Sequence, residues 1–335
     1  MEKTRRKIIK KIVIAVICIV AFIAAMLGGF WVFQNNLAEK YTFEEFSGQK
    51  GGDRIHFLNT GNSDAILLES DGKFALIDCG EDSDNPRGFK SLDLDGYEDF
   101  VVDYLNYFCK DKLGQINLEF IMGTHSHSDH IGGFDTVIMQ ENVHIKKAYF
   151  KKYYEDRIIE EEVEDWDNKE MYEDVISAVN EKEIELIQDL TDVSFKFGSF
   201  NITVFNGEEP KEGEKVGENE NSLAVLVEKD GYRVMLSGDL NNLDGDEERI
   251  APEVGKVDVL KLGHHGYSHS STKNYIDTLS PNFAIQTTGN PANFSVIYNV
   301  SLTHEAPIYS TVKHNGIILD LSDVSNVKLI DNVDI

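Results

Sequence analysis

Ten residues, Thr124-His125-Ser126-His127-Ser128-Asp129-His130-Ile131-Gly132-Gly133, carry the densest chemistry in this 335-residue chain. Three imidazoles and one carboxylate fall between His125 and His130, and the glycines after Ile131 let the backbone turn away at once. In an extended or turning segment His125 and His127 project to the same side, whereas Asp129 and His130 lie past the bend. One pair can face one metal and the other pair a second metal a few ångströms away. Neutral imidazole and carboxylate suit zinc and its first-row neighbours, and this stretch has no cysteine to close a purely structural site. A solvated histidine-rich loop is the plain alternative. Four ligating side chains in six residues, directly after an apolar run, argue against it.

Two more loops offer what a two-metal site still lacks. Arg233–Ser237 reads as a strand running into Gly238-Asp239, and an aspartate presented there can reach two metals with its two oxygens. Val257–Leu262 reads as a strand leading into Gly263-His264-His265-Gly266. Asp78 closes a third apolar run beside Cys79-Gly80 and can either orient a metal-bound imidazole or accept backbone hydrogen bonds.

The elements that must position these residues are mostly short strands. Ile55–Leu58, Ala65–Glu69 and Phe74–Asp78 are separated by Gly61-Asn62-Ser63 and Asp71-Gly72, a hairpin pattern. Leu118–Met122 precedes the histidine stretch, and a strand is expected around Val143–Phe150. Val193–Phe197, Asn201–Phe205 and Leu223–Glu228 continue the series, with a polar loop at 206–220. Tyr97, Phe100, Val101, Tyr104, Leu105 and Phe108 fall at helical spacing, which marks a core-facing helix rather than a cofactor box. Residues 149–172 place Tyr153, Trp166 and Tyr172 around an acidic run, Glu160–Glu164. Aromatic faces beside carboxylates suit a quaternary ammonium ligand. A helix burying Met171, Tyr172, Val175, Ile176 and Val179 explains Tyr172 but not Tyr153 or Trp166.

Composition narrows the partners. A formal net charge of −27 argues against general adhesion to a phosphate backbone, which runs on Lys and Arg. Three cysteines, Cys18, Cys79 and Cys109, give no disulfide framework. Residues 1–33 stand apart. Six basic residues between Lys3 and Lys11 precede 22 uncharged positions, Ile12 to Phe33. At about 1.5 Å per residue that run crosses a hydrocarbon core of roughly 30 Å. The basic flank predicts a cytoplasmic N-terminus, with everything after Trp31 outside the cell. A cleaved signal peptide is the competing reading, but no clear cleavage site follows. The expected organisation is an anchor at 1–33, a linker at 34–52 and one catalytic domain at 53–335.

Together His125-x-His127-x-Asp129-His130, Gly238-Asp239 and His264-His265 resemble the metallo-β-lactamase fold across about 50–330. That resemblance implies an α/β, four-layer αββα sandwich with a dinuclear site at its strand ends. Within the superfamily the chain is similar to teichoic acid phosphorylcholine esterases. Ser63–Ser70, Ile77–Asp82, Lys151-Lys152-Tyr153, Trp166-Asp167-Asn168 and Asn221-Ser222-Leu223 carry the likeness. It implies His125 and His127 on one metal, Asp129, His130 and His265 on the other, and Asp239 bridging. It also implies that His264 lines the site, and that Lys151, Tyr153 and Trp166 contact substrate. The chain lacks the aromatic choline-binding repeats of those esterases. It also lacks the third histidine many superfamily members place before the bridging aspartate; Asn219 or Asn221 stands in that region.

The implied cofactors are two divalent cations, zinc first and manganese as the alternative. Such a pair brings the pKa of a bridging water towards about 7 and neutralises phosphoryl charge. Asp129, Asp239 and His264 are the catalytic candidates around it. The expected reaction is phosphodiester hydrolysis by a membrane-anchored, extracellular enzyme acting on choline-bearing teichoic acid or a lipid headgroup. Two rivals stand beside it: a nuclease similar to competence DNA-uptake proteins, and a metal-dependent surface module that binds without turnover.

Overall fold

The structure, a computed structural model, describes residues 2–82 and 95–333. The chain divides after Tyr41 into two compact units. The first is one helix, Glu2–Ala38. Its most apolar 18-residue window has a mean hydropathy of 2.9 and no buried residues, so it is long and apolar enough to cross a membrane.

Two sheets build the second unit. The first runs Phe43–Glu45, Lys328–Asp331, Ile317–Asp320, Arg54–Phe57, Ala65–Ser70, Lys73–Cys79, Ile116–Met122, Lys147–Tyr149 and Glu185–Ile187 across its width. Its edge corrects the linker reading of 34–52. Phe43–Glu45 pairs in parallel with Lys328–Asp331, and the Phe43 ring stacks on His314 at 3.9 Å. The strand expected around Val143–Phe150 is in fact two, Val143–Ile145 and Lys147–Tyr149, both parallel to Ile116–Met122. Between them the Lys146 amide donates to Leu118 O.

The second sheet orders Ile308–Ser310, Phe283–Gln286, Val259–Lys261, Tyr232–Leu236, Ala224–Lys229, Phe200–Phe205 and Ser194–Phe197. Its first four strands run parallel, so their carboxyl ends share one edge. Lys73–Cys79 and Ile116–Met122 are likewise parallel in the first sheet.

Strand alternation gives each sheet a helix-facing side and a sheet-facing side. Val101, Tyr104, Leu105 and Phe108 of helix Glu98–Phe108 join Met171, Val175 and Val179 of helix Asn168–Glu181 over Leu67, Leu76 and Ile121. Ile250 and Val254 of helix Asp246–Val254, with Ile276 and Leu279 of helix Lys273–Leu279, cover Leu226, Met235 and Leu260. Between the sheets, Phe120 meets Phe195 and Phe197 edge-on at 5.3 and 5.5 Å. The layers therefore run helix, sheet, sheet, helix, as the αββα reading requires.

Candidate metal centre

The chemistry gathers where strands end, as ligand sites do in open α/β sheets. Strand Ile116–Met122 delivers Gly123-Thr124, and His127 then precedes the short helix Ser128–Ile131. His125 and His127, expected on one side of the bend, converge with Nε2 and Nδ1 3.0 Å apart. Strand Tyr232–Leu236 ends in Ser237-Gly238-Asp239. A side chain at Gly238 is excluded: φ is +50°, and an added Cβ would sit 2.4 Å from Ser222 Oγ and 2.8 Å from Leu223 O. The turn can therefore pass close under the neighbouring chain and aim Asp239 inward. Strand Val259–Lys261 ends in Leu262-Gly263, where His264 and His265 both take left-handed backbone angles. Non-glycine residues in that region are uncommon and are held there by their surroundings.

Two sets of ligand atoms result, each within 4.8 Å of one another: His125, His127 and Asp239, and Asp129, His130, Asp239 and His265. Asp239 belongs to both. Its Oδ1 lies 3.1 Å from His130 Nε2, and its Oδ2 lies 3.4 Å from His265 Nε2. His265 Nε2 also stands 3.3 Å from Asp129 Oδ2. His130 Nε2, His265 Nε2 and Asp239 Oδ1 are buried, and beyond these ion-pair contacts they make no well-aligned hydrogen bond among the described residues. Buried atoms of opposite character that point at common positions with so few partners are costly unless something else satisfies them. Imidazole nitrogen and carboxylate oxygen together are the donor set of zinc and related divalent cations, so the residues fit such a pair.

The close approach of these groups shifts their protonation. Burial opposes charge on His130, but Asp239, Asp78 and Asp129 outweigh it and raise its pKa well above 6.5. Asp239 and Asp64 do the same for His265. Burial would raise Asp239, yet His130 and His265 pull it well below the usual carboxylate range. Burial, reinforced by His130 and His127, instead drives His125 well below 6.5.

The supporting residues divide by set. Asp78 does both things proposed for it. It accepts from the Thr124 amide and hydroxyl, each at 2.8 Å, and its Oδ2 faces His130 Nδ1 at 2.7 Å, which turns Nε2 to the site. Thr287 Oγ1 lies 3.1 Å from His265 Nδ1. On the other set, Glu162 Oε2 stands 3.3 Å from His127 Nε2, and the Trp166 ring stacks on His127 at 4.4 Å. Glu218 accepts from the Ser126 amide at 2.9 Å.

Other predicted residues sit further out. His264 belongs to neither set; its Nε2 faces Asn219 Nδ2 at 3.4 Å. Asn221 reaches Glu218 at 3.4 Å rather than a ligand atom. Tyr153 pairs with Tyr172 at 5.9 Å, and the surrounding Glu218, Glu155 and Glu162, added to its burial, raise its pKa. Lys151 is buried, and its ammonium donates to Asn206 O and Asn221 O, each at 3.1 Å. It lines a cleft of about 610 Å³ that Glu220 and Asn221 share, so it stands beside the cluster rather than in it.

Several supporting residues, among them Asp64, Lys261 and Glu162, were not singled out by the sequence. Asp64 and Lys261 form a buried ion pair beneath the second set. A lysine inside the apolar run Val257–Leu262 was the available signal, since lysine is almost never fully buried unless paired. Glu162 is one of several glutamates in its run, and nothing in the sequence singles it out.

Residues 58–283 match the family model described as Metallo-beta-lactamase superfamily. The chain is 28% identical over 177 residues to ComE operon protein 3 of Bacillus subtilis (strain 168), covering 51% of this chain and 20% of that protein. It is 25% identical over 245 residues to Recombination protein 2 of Haemophilus influenzae, covering 72% of this chain and 25% of that protein. The chain thus spans a quarter or less of these relatives. The metallo-beta-lactamase fold protein YhfI from Bacillus subtilis superposes with a TM-score of 0.48 at 11% identity, covering 80% of this chain and 99% of YhfI.

Proposed function

The chain belongs to the metallo-beta-lactamase superfamily, and on that premise we propose a membrane-tethered, metal-dependent phosphodiesterase that acts on phosphocholine-type esters. The superfamily match supports a metal-dependent hydrolase. The observation that carries the substrate class is the wall beside His127, where Glu162 and Glu218 join the stacked Trp166. Carboxylates and an aromatic face attract a cationic headgroup and repel a bare polyanion.

In this reading His125, His127 and Asp239 hold one cation, and Asp129, His130, Asp239 and His265 hold the other. When bound, the pair supplies an acidified water and neutralises charge on the phosphoryl oxygens. Asp129 offers one carboxylate oxygen to the second set, and its other oxygen would take up the water's proton. His264, kept neutral as burial lowers its pKa, steadies the leaving oxygen by hydrogen bonding. The basic flank of the helix would keep the catalytic unit outside the cell.

A nuclease is the second reading, favoured by the recombination name of one relative. One panel separates them. The metal-loaded protein is given choline-decorated teichoic acid, nitrophenyl phosphorylcholine, a neutral nitrophenyl diester and single-stranded DNA. Phosphocholine release well above neutral-diester cleavage is expected, with Asp239→Asn at background and depleted of both metals. DNA degradation without choline-ester turnover would transfer the assignment to the nuclease. No turnover of any phosphodiester would end both.

A further inference from the structure

Lys261 closes its strand with no exposed surface, among the largest fully buried side chains in the chain. An ammonium there loses its hydration, and only matched partners make that tolerable. Lys261 has three. Its Nζ forms an ion pair with Asp64, donates to Gly238 O at 2.8 Å, and stands 3.7 Å from Asp239 Oδ1. Asp64, equally buried, places Oδ1 3.4 Å from His265 Nδ1 and Oδ2 3.8 Å from His130 Nδ1. The Asp64 amide donates to Asp129 O at 3.0 Å.

A buried ion pair is weak ground for stability, because apolar residues of similar volume commonly do as well. The placement is more informative. The ammonium touches both the carbonyl of the Gly238 turn and the carboxylate which that turn presents. Its partner Asp64 lies behind the two histidines facing the same carboxylate. We propose that Lys261 is a positioning residue: an internal cation that clamps the Gly238–Asp239 turn and orients the shared carboxylate towards both ligand sets. The inference rests on the metal-site reading, and Lys261 contacts neither water nor substrate in it.

The test is zinc binding by competition with a chromophoric chelator, with far-UV circular dichroism to confirm folding. Wild-type protein taking up no metal would sink the metal-site reading itself, whatever the variants do. Given two bound metals in wild type, Lys261→Gln is expected to weaken metal binding about tenfold to a hundredfold, the usual effect of removing a residue that orients ligands. It should lower kcat with KM little changed. Because Asp64 also stands behind His265 and His130, Asp64→Asn is expected to weaken binding on its own account, and it serves as the reference. The double variant Asp64→Asn/Lys261→Gln removes both members of the buried pair together, so it stays folded even where Lys261→Gln alone strands Asp64. If Lys261 serves Asp239, the double variant binds metal at least about tenfold more weakly than Asp64→Asn. If Lys261 is only the counter-ion of Asp64, the double variant binds as well as Asp64→Asn or better, and that result overturns the proposal. A folded Lys261→Gln with wild-type metal affinity overturns it as well.

Discussion

The two ligand sets share Asp239 but are held by different kinds of structure. Asp129, His130 and His265 are backed by Asp78, Asp64, Lys261 and Thr287, all at or beside the ends of paired strands. His125 and His127 are backed by Glu162 and Trp166, from a six-residue helix and the turn after it, and by Glu218 from a loop. One half is scaffold, set by sheet register. The other is held by a short helix and loops. Rigid placement suits the residues that orient the shared carboxylate, whereas an adaptable wall suits the side that meets substrate.

The scaffold half carries its own weakness, which gives the largest test of the contrast. Glu247 is wholly buried and accepts from the Ser271 amide, the Thr272 amide and the Thr272 hydroxyl, pinning the segment after the His265 loop. Burial raises its pKa from 4.5 to about 7, and hydrogen bonds from Thr272 and Ser271 only partly offset this. The folded chain therefore keeps a proton that the unfolded chain has released between those values. The resulting stability is full below pH 4.5 and is lost as pH rises through about 7, on the order of 3 kcal/mol in all. Urea unfolding of Glu247→Gln against wild type should show wild type losing stability relative to the variant steadily from pH 5 to pH 8. A constant difference would mean that Glu247 is ionised throughout, and that this side bears no pH-dependent load.

Next come two substitutions aimed at equivalent points of the two halves. In Asp78→Asn the amide donates to His130 Nδ1, so the imidazole proton moves to Nε2, the atom facing the second set. Metal affinity there should fall tenfold to a hundredfold. Glu162→Gln makes the same exchange at His127, moving the proton to Nδ1, which faces His125 at 3.0 Å. Glu162 faces His127 at 3.3 Å, against 2.7 Å between Asp78 and His130, so its loss should stay near tenfold and fall on the first set alone. Metal content per chain after gel filtration against graded chelator measures both. Equal losses would erase the distinction between strand-end and loop support.

The same distinction explains what the sequence disclosed. The convergence of His125, His127, Asp129, His130, Asp239 and His265 was legible because a ligating type of side chain close after an apolar run and a glycine reports its own position at a strand end. The αββα layering followed from strand alternation and the resemblance. Register-dependent partners were not legible. Asp64 and Lys261 meet only because Ala65–Ser70 and Val259–Lys261 lie in different sheets whose ends coincide. The break between Ile145 and Lys147 and the pairing of Phe43–Glu45 depend on neighbours far along the chain, which local pattern does not encode.

Trp166 is where the two roles of the loop-held side can be separated. As the sequence reading has it, the ring faces a cationic headgroup; as the structure has it, the ring stacks on His127 with an interplanar angle of 29°. Both can hold, because an indole has two faces. A cation against the face turned from His127 is worth roughly 0.5–2 kcal/mol, so Trp166→Ala should raise KM for a choline ester about twofold to thirtyfold. A neutral diester lacks that interaction, and its KM should barely move. Loss of the stack on His127 would lower turnover for both esters equally, through a looser ligand. The comparison of KM and kcat for the two esters therefore reads the two faces of one ring separately. An equal KM rise for both would assign Trp166 to His127 alone and leave the headgroup to Glu162 and Glu218.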